Sequence, residues 1–278
     1  MDIKGPNLVK GIHLEGLRVL GKPEHFARHY YETGADEMMY VDVVASLYNR
    51  NSLHDIITRT AKEIFIPLTV AGGIRTIDNI REILRAGADK VSLNTAAIKR
   101  PQIIREASRK FGSSTIVVTI EAIRQPDGQY FVYTDNGREA TGVEAVQWAM
   151  QVEELGAGEI VITSVDQEGT GLGFDLDLTR TIADAVSIPV IGHGGGGCLK
   201  DIESVLDSGN ADAVAIASML HYQIIYNNNM TGEYKKEGNI EFLKSGRRFS
   251  KIDMVTIPEI KRYLYDQNIP CRFSSNEV

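Results

Sequence analysis

Four carboxylates stand at the ends of short apolar runs: Asp2, Asp42, Glu121 and Asp166. Asp2 and Glu121 fall at matching places in two similar halves of the chain, so they would face each other across a shared mouth. Two carboxyl groups separated by a substrate can divide general-acid and general-base work; the alternative is that they cap the loops that follow. Two glycine runs, Gly72-Gly73 and Gly194–Gly197, suit close approach of an anion, because consecutive N–H groups without Cβ atoms form a nest for phosphate. Asn94-Thr95 and Ala217-Ser218 each end an apolar run and open a helix, whose first N–H groups attract anions. One such site per half implies a substrate with a phosphate at each end; tight strand-to-helix turns are the alternative. His193 lies inside the second glycine run, where it either contacts phosphate or is solvated, and His221 reads as a packed residue. Glu37, Lys90 and Glu159 each open an apolar run. Three charges at one level form either a stabilising ring of ion pairs or a gate on an axial channel.

The elements that must position these groups are legible as alternating patterns. The apolar runs are Met38–Val44, Ile66–Val70, Lys90–Leu93, Thr115–Ile120, Glu159–Thr163, Ile188–Ile191 and Ala213–Ile216. Each is short, rich in β-branched residues and bounded by Gly, Pro or Asp, as buried parallel strands are. Helical patterns fall near 23–33, 53–64, 77–86, 100–111, 143–155, 176–185, 199–208 and 256–267. Strand and helix in alternation imply βα units around a parallel sheet. Gln129–Thr134 followed by Asp135-Asn136-Gly137 interrupts the alternation and predicts a hairpin with a type I′ turn.

The halves repeat at a spacing near 120 residues. Ile66–Ile74 resembles Ile188–Gly196, Ala86–Val91 resembles Asn210–Val214, and Glu37–Asp42 resembles Glu159–Asp166. A twofold (βα)4 repeat argues for an α/β fold of the closed (βα)8 TIM-barrel type, in which strand C-terminal ends surround the site. An open dinucleotide-binding sheet lacks its Gly-x-Gly-x-x-Gly opening here. No Ser- or Pro-rich linker divides the chain, so one barrel domain over 1–278 is expected. Of its first strand only Met1–Lys4 is visible. The expected consequences are two unpaired strand edges, an Asp2 on a frayed terminus, and an apolar strand with an early basic residue upstream of Met1.

Composition narrows the function classes. Of 278 residues, 43% are hydrophobic and 24% charged, ordinary for a globular protein. The net charge of −7 disfavours nucleic acid as a partner. No apolar run reaches the roughly 20 residues of a membrane span, and the first residues have no signal core. Two cysteines, Cys198 and Cys271, suit a reducing cytoplasm rather than a disulfide scaffold. No Cys/His cluster has zinc-like spacing, so neither a metal nor a cofactor is expected.

Several segments together are more specific than any glycine pair: Asp2-Ile3-Lys4 with Leu8-Val9-Lys10-Gly11, Gly34–Glu37, Pro67–Ile74, Ala86–Ala97, Gly156–Glu159 with Thr163–Asp166, and Ala211–Tyr222. With them the chain resembles the cyclase subunit of imidazole glycerol phosphate synthase, the (βα)8 barrel of histidine biosynthesis. The resemblance runs from about residue 2 to 222 and resumes near 255–272. It implies a lyase that takes ammonia and phosphoribulosyl-formimino aminoimidazole carboxamide ribotide, a bisphosphate. The products are imidazole glycerol phosphate and aminoimidazole carboxamide ribotide. It also implies a glutaminase (glutamine amidotransferase) subunit as heterodimer partner, whose ammonia passes through the barrel. By resemblance Asp2 is one catalytic acid, Lys10 a flexible-loop lysine, and Gly73, Asn94 and Thr95 one phosphate site. Gly169, Gly195, Ala217 and Ser218 match the other, with Asp166 and Glu168 beside the substrate. Glu37, Lys90 and Glu159 match three members of the ammonia gate.

Departures from the family pattern cluster at the site. Glu121 stands where the family has its second catalytic aspartate, Glu168 also replaces an aspartate, and His193 replaces a serine. The gate's fourth residue, an arginine, is absent, and residues 223–254 hold a polar insertion. Two alternatives therefore stay open: a paralogue that delivers ammonia to amidate a nucleotide-linked sugar, and an inactive barrel that only binds a glutaminase.

Overall fold

The structure is a computed structural model that describes residues 1–45, 53–228 and 251–273. Most of the expected insertion, 229–250, lies outside the described residues. Its first residues, 223–228, continue the helix that follows the last parallel strand, which runs from Ser218 to Asn228.

Eight parallel strands form the (βα)8 barrel. In chain order they are β1 (Asp2–Lys4), β4 (Met38–Asp42), β5 (Leu68–Ala71), β6 (Lys90–Leu93), β7 (Ile116–Arg124), β10 (Glu159–Ser164), β11 (Val190–His193) and β12 (Ala213–Ala215). Successive members pair in parallel from β1 through to β12. Their β-branched runs are buried on both faces, which is why they read as continuous apolar stretches. Ile116, Val118 and Ile120 of β7 are fully buried, as is Ile160 of β10.

The helices follow their local signals. Thr76 caps the helix Ile77–Ala86 by accepting from the Asn79 N–H, and Gly87 closes it at φ +119. Ile80, Ile83 and Ala86 face the core from it. A capping box between Thr256 and Glu259 starts the helix Ile257–Asp266.

Two hairpins sit beside the parallel strands. The first, β2 (Asn7–Ile12) and β3 (Glu15–Gly21), has no counterpart among the expected elements. β2 pairs antiparallel with β1. The side of β1 expected to be a free edge is thus occupied, and among the described ladders β12 pairs only with β11. Asp2 is not frayed either. The Met1 ammonium donates to the Met39 carbonyl at 2.6 Å, and the Val41 N–H donates to the Met1 carbonyl.

The second hairpin, β8 (Tyr130–Thr134) and β9 (Glu139–Glu144), is the expected one with a different turn. Thr134 pairs with Glu139, so four residues rather than two make the connection. Asp135, Asn136 and Gly137 are all left-handed, at φ 53, 63 and 73. The Arg138 N–H closes the turn on the Thr134 carbonyl.

Candidate active site

A cavity of about 870 Å³ runs through the barrel. Asp2, Glu121, Gly73, Asn94, Thr95 and Ala217 line it at the C-terminal ends of the strands, and Glu37 and Glu159 line it at the opposite end. Lys10, Asp166, Glu168, Gly169, Gly195 and Ser218 do not line it.

Glu121 is the best-defined acid. It lies on β7, nine-tenths buried, and accepts from Asn94 Nδ2 on one carboxyl oxygen and from the Gly137 N–H on the other, both at 2.9 Å. Burial pushes its pKa up to about 7. The Gly137 and Asn94 donors oppose that shift, and the nearby Asp135 and Asp2 charges add to it. Asn94 Oδ1 is buried without a partner, so the same amide, turned over, could accept from the protonated acid. Asn94 was expected to contact phosphate; here its side chain holds the carboxyl. The Asn-Gly pair signalled a turn, but nothing local showed that Gly137 would reach the carboxyl. Asn136 ties that turn across the mouth by donating to the Val43 carbonyl at 2.8 Å.

Lys10 corrects the flexible-loop expectation. It sits in β2, 3% exposed, and pairs with the buried carboxylate of Glu168. Its Nζ donates to the Gly11 carbonyl at 3.0 Å and stands 4.0 Å from Asp2. The Leu14 N–H donates to the other Glu168 oxygen at 2.8 Å, so Glu168 holds the tip of the hairpin as well as the lysine. Asp166 lies past the end of β10, exposed, accepting from the Arg124 N–H. It caps a loop and does not reach the mouth.

The glycine turns are stereochemically required. Gly72 has φ +96, and a Cβ there would lie 2.4 Å from the Asp42 carbonyl oxygen. Gly195 has φ +113, and its Cβ would meet the Gly173 carbonyl oxygen at 2.0 Å. Gly195→Ala must displace that loop, whereas Gly142, at φ +72, has open space around it. We expect Gly195→Ala to raise the substrate KM about tenfold or more and Gly142→Ala to leave it unchanged. Steady-state kinetics on folded variants check this; equal KM values would detach the glycine run from substrate binding.

At the far end, Lys90 Nζ lies 2.9 Å from Glu37 Oε2 and 2.5 Å from Glu159 Oε1. Burial alone would lower the Lys90 pKa, but hydrogen bonds to Glu159 and Glu37 outweigh it and the net shift is upward. The three expected gate residues therefore meet at the strand starts. His221 is packed as expected, 1% exposed, with its Nδ1 on the Tyr30 hydroxyl at 2.5 Å. Among the described residues, no group of three His, Cys, Asp or Glu side chains could hold a metal ion, and no helix is long and apolar enough to cross a membrane.

A parallel barrel with titratable groups at the strand C-termini defines a (βα)8 enzyme. The chain belongs to the histidine biosynthesis protein family, which matches residues 1–226. It is 56% identical over 201 residues to imidazole glycerol phosphate synthase subunit HisF of Legionella pneumophila, covering 72% of this chain and 95% of that protein. A protein of the same name from Alkaliphilus metalliredigens (strain QYMF) is 46% identical over 222 residues, 80% of this chain and 88% of the relative. One from Thermosynechococcus vestitus (strain NIES-2133 / IAM M-273 / BP-1) is 42% identical over 277 residues, 98% of this chain and 88% of the relative. Family and relatives support the cyclase function in histidine biosynthesis, an enzyme for which the lyase class fits.

Proposed function

We propose that the protein is the ammonia-dependent cyclase of this pathway and that Asp2 and Glu121 carry its acid–base chemistry. The substrate is the bisphosphate phosphoribulosyl-formimino aminoimidazole carboxamide ribotide. Imidazole glycerol phosphate and aminoimidazole carboxamide ribotide are the products. One carboxyl group deprotonates the ammonia adduct, and the other protonates the leaving nitrogen or hydroxyl. A group titrating near 7 can serve in either direction at neutral pH, and burial gives Glu121 that property. Gly73 and Thr95 hold one phosphate, and Gly169, Gly195, Ala217 and Ser218 the other. Lys10 and Glu168 set the position of the hairpin over Asp2. One barrel domain accounts for the chain, and its free thiols Cys198 and Cys271 suit the cytoplasm.

The observation that carries the reading is the reach of one cavity from the Glu37 and Glu159 end to Asp2 and Glu121. It supports a glutaminase subunit docked at the strand starts, sending ammonia past the Lys90 ion pairs. Lys90→Met should lower glutamine-dependent turnover about tenfold or more, roughly 1.4 kcal/mol of barrel crossing, while ammonium-dependent turnover stays within about twofold. The assay follows imidazole glycerol phosphate with each nitrogen source. Equal loss with both would make Lys90 a structural residue, and no product from either source would remove the cyclase assignment.

A further inference from the structure

His193 is a cavity-facing group that the acid–base pair leaves unused. It ends β11 and lies in one row of the barrel with Glu121 and Thr163, because Thr163 of β10 is in register with Glu121 on one side and His193 on the other. In-register residues of neighbouring strands point the same way, and all three line the cavity. At about 4.8 Å per strand spacing, the His193 and Glu121 backbones stand roughly 10 Å apart. Thr163 Oγ1 holds His193 Nδ1 at 3.0 Å. Its Nε2 makes no hydrogen bond among the described residues and is open to the cavity, whereas Nε2 of His221 is sealed. The next residues in the chain are the second glycine run.

We propose that His193 is a specificity-determining residue whose Nε2 hydrogen-bonds the phosphorylated end of the bisphosphate lying between Glu121 and the Gly194–Gly197 loop. The inference rests on the reading of that loop as a phosphate site. A phosphate has acceptor oxygens only along its dianionic face, so the imidazole serves it best as a donor, and best of all when protonated. In the free protein burial lowers the His193 pKa. The carboxylates of Glu168 and Asp2 oppose that, while the Lys10 and N-terminal ammonium groups reinforce it. Its partner on β10 is the neutral Thr163, and its register partner on β12 is Ala215. A bound dianion adds negative charge beside the ring and raises its pKa, so by linkage the bisphosphate binds more tightly as pH falls. Serine, the residue of the resembled family, could donate to the same phosphate without this pH dependence.

The test uses full-length protein with isotope-labelled histidine, the His193 ring signal being identified by its loss in His193→Ser. Ring titrations are followed by NMR without ligand and with the bisphosphate ribotide, ammonia being withheld. The expected result is a His193 pKa below 6.5 in the free protein that rises by about one unit or more in the complex. Calorimetry should then show the bisphosphate binding about tenfold more weakly to His193→Ser and His193→Gln than to wild type near about pH 6, with the difference lost near about pH 8.5. A His193 pKa that stays put in a saturated complex, or equal affinities of all three proteins near about pH 6, overturns the proposal while leaving the cyclase reading intact. Failure of wild type to bind the bisphosphate at either pH overturns both.

Discussion

Glu121→Gln lowers ammonia-dependent cyclisation by about 100-fold or more, the scale of a lost general acid or base. The substitution keeps the shape of the side chain and removes its proton. Its two donors can still be served: the Gly137 N–H meets the amide oxygen, and Asn94 turns its unpartnered Oδ1 toward the new NH₂. The fold should therefore tolerate the change while the chemistry does not. Glu121→Asp is the complementary variant. It carries the acid of the resembled family one methylene further from the substrate, and it should retain or raise activity. Wild-type turnover that survives Glu121→Gln would take Glu121 out of the mechanism.

The same residue fixes a pH dependence of stability. An ordinary glutamate titrates near 4.5, and the folded protein holds the Glu121 proton up to about 7. Between those values the folded state keeps a proton that the unfolded chain has released, so stability falls as pH rises across that window. The full effect is at most about 3 kcal/mol. The contribution is complete below the unfolded value and gone above 7. Denaturant unfolding of Glu121→Gln should lack this slope and leave the variant at least as stable as wild type at alkaline pH. A catalytic loss with no stability loss separates chemistry from folding.

How much of this was legible in sequence follows from which interactions are local. Lys90–Leu93 is a strand with those same bounds, because a short run buried at Val91, Ser92 and Leu93 between a charged and a polar residue suits a parallel barrel strand covered on both faces. The helix Ile77–Ala86 also matches its expectation, since its cap residues and apolar spacing lie within one segment. The hairpin that carries Lys10 was not visible. Its strands mix glycine and charge with apolar residues, and its turn puts His13 and Leu14 at φ 51 and 60, a region that such residues seldom adopt. Without that hairpin, the pairing of β1 could not be inferred, and nothing local opposed the loop position that the resemblance implies for Lys10. Of the carboxylates and glycines singled out in sequence, Asp2, Asp42, Glu121, Gly72 and Gly73 line the cavity, whereas Asp166, Gly169 and Gly195 do not. The internal order of the site was not legible, because the Glu121, Thr163 and His193 row depends on strand register across three separate segments.

Replacing Glu168 by glutamine should cost about 3–5 kcal/mol, the scale for a buried ion pair broken from one side. Lys10 and Glu168 are 3% and 2% exposed, so removing the carboxylate strands an ammonium group away from water. The loss extends to the hairpin tip. One amide oxygen now serves either Lys10 or the Leu14 N–H, and the amide NH₂ faces the other donor, although the His13 N–H keeps its bond to the Glu168 carbonyl. At roughly 2–4 °C per kcal/mol for a chain of this size, the thermal midpoint should fall by about 10 °C. A double variant, Lys10→Met with Glu168→Leu, removes both charges and should recover much of that stability, because packed apolar groups can replace a buried pair at little cost. It should not recover activity, since Lys10 is the ammonium held 4.0 Å from Asp2. Recovery of stability without recovery of turnover would show that the pair is retained for what it does to Asp2 and the substrate. If Glu168→Gln costs less than about 1 kcal/mol, Lys10 reaches water in solution, and the hairpin is free to move over the mouth as a loop would.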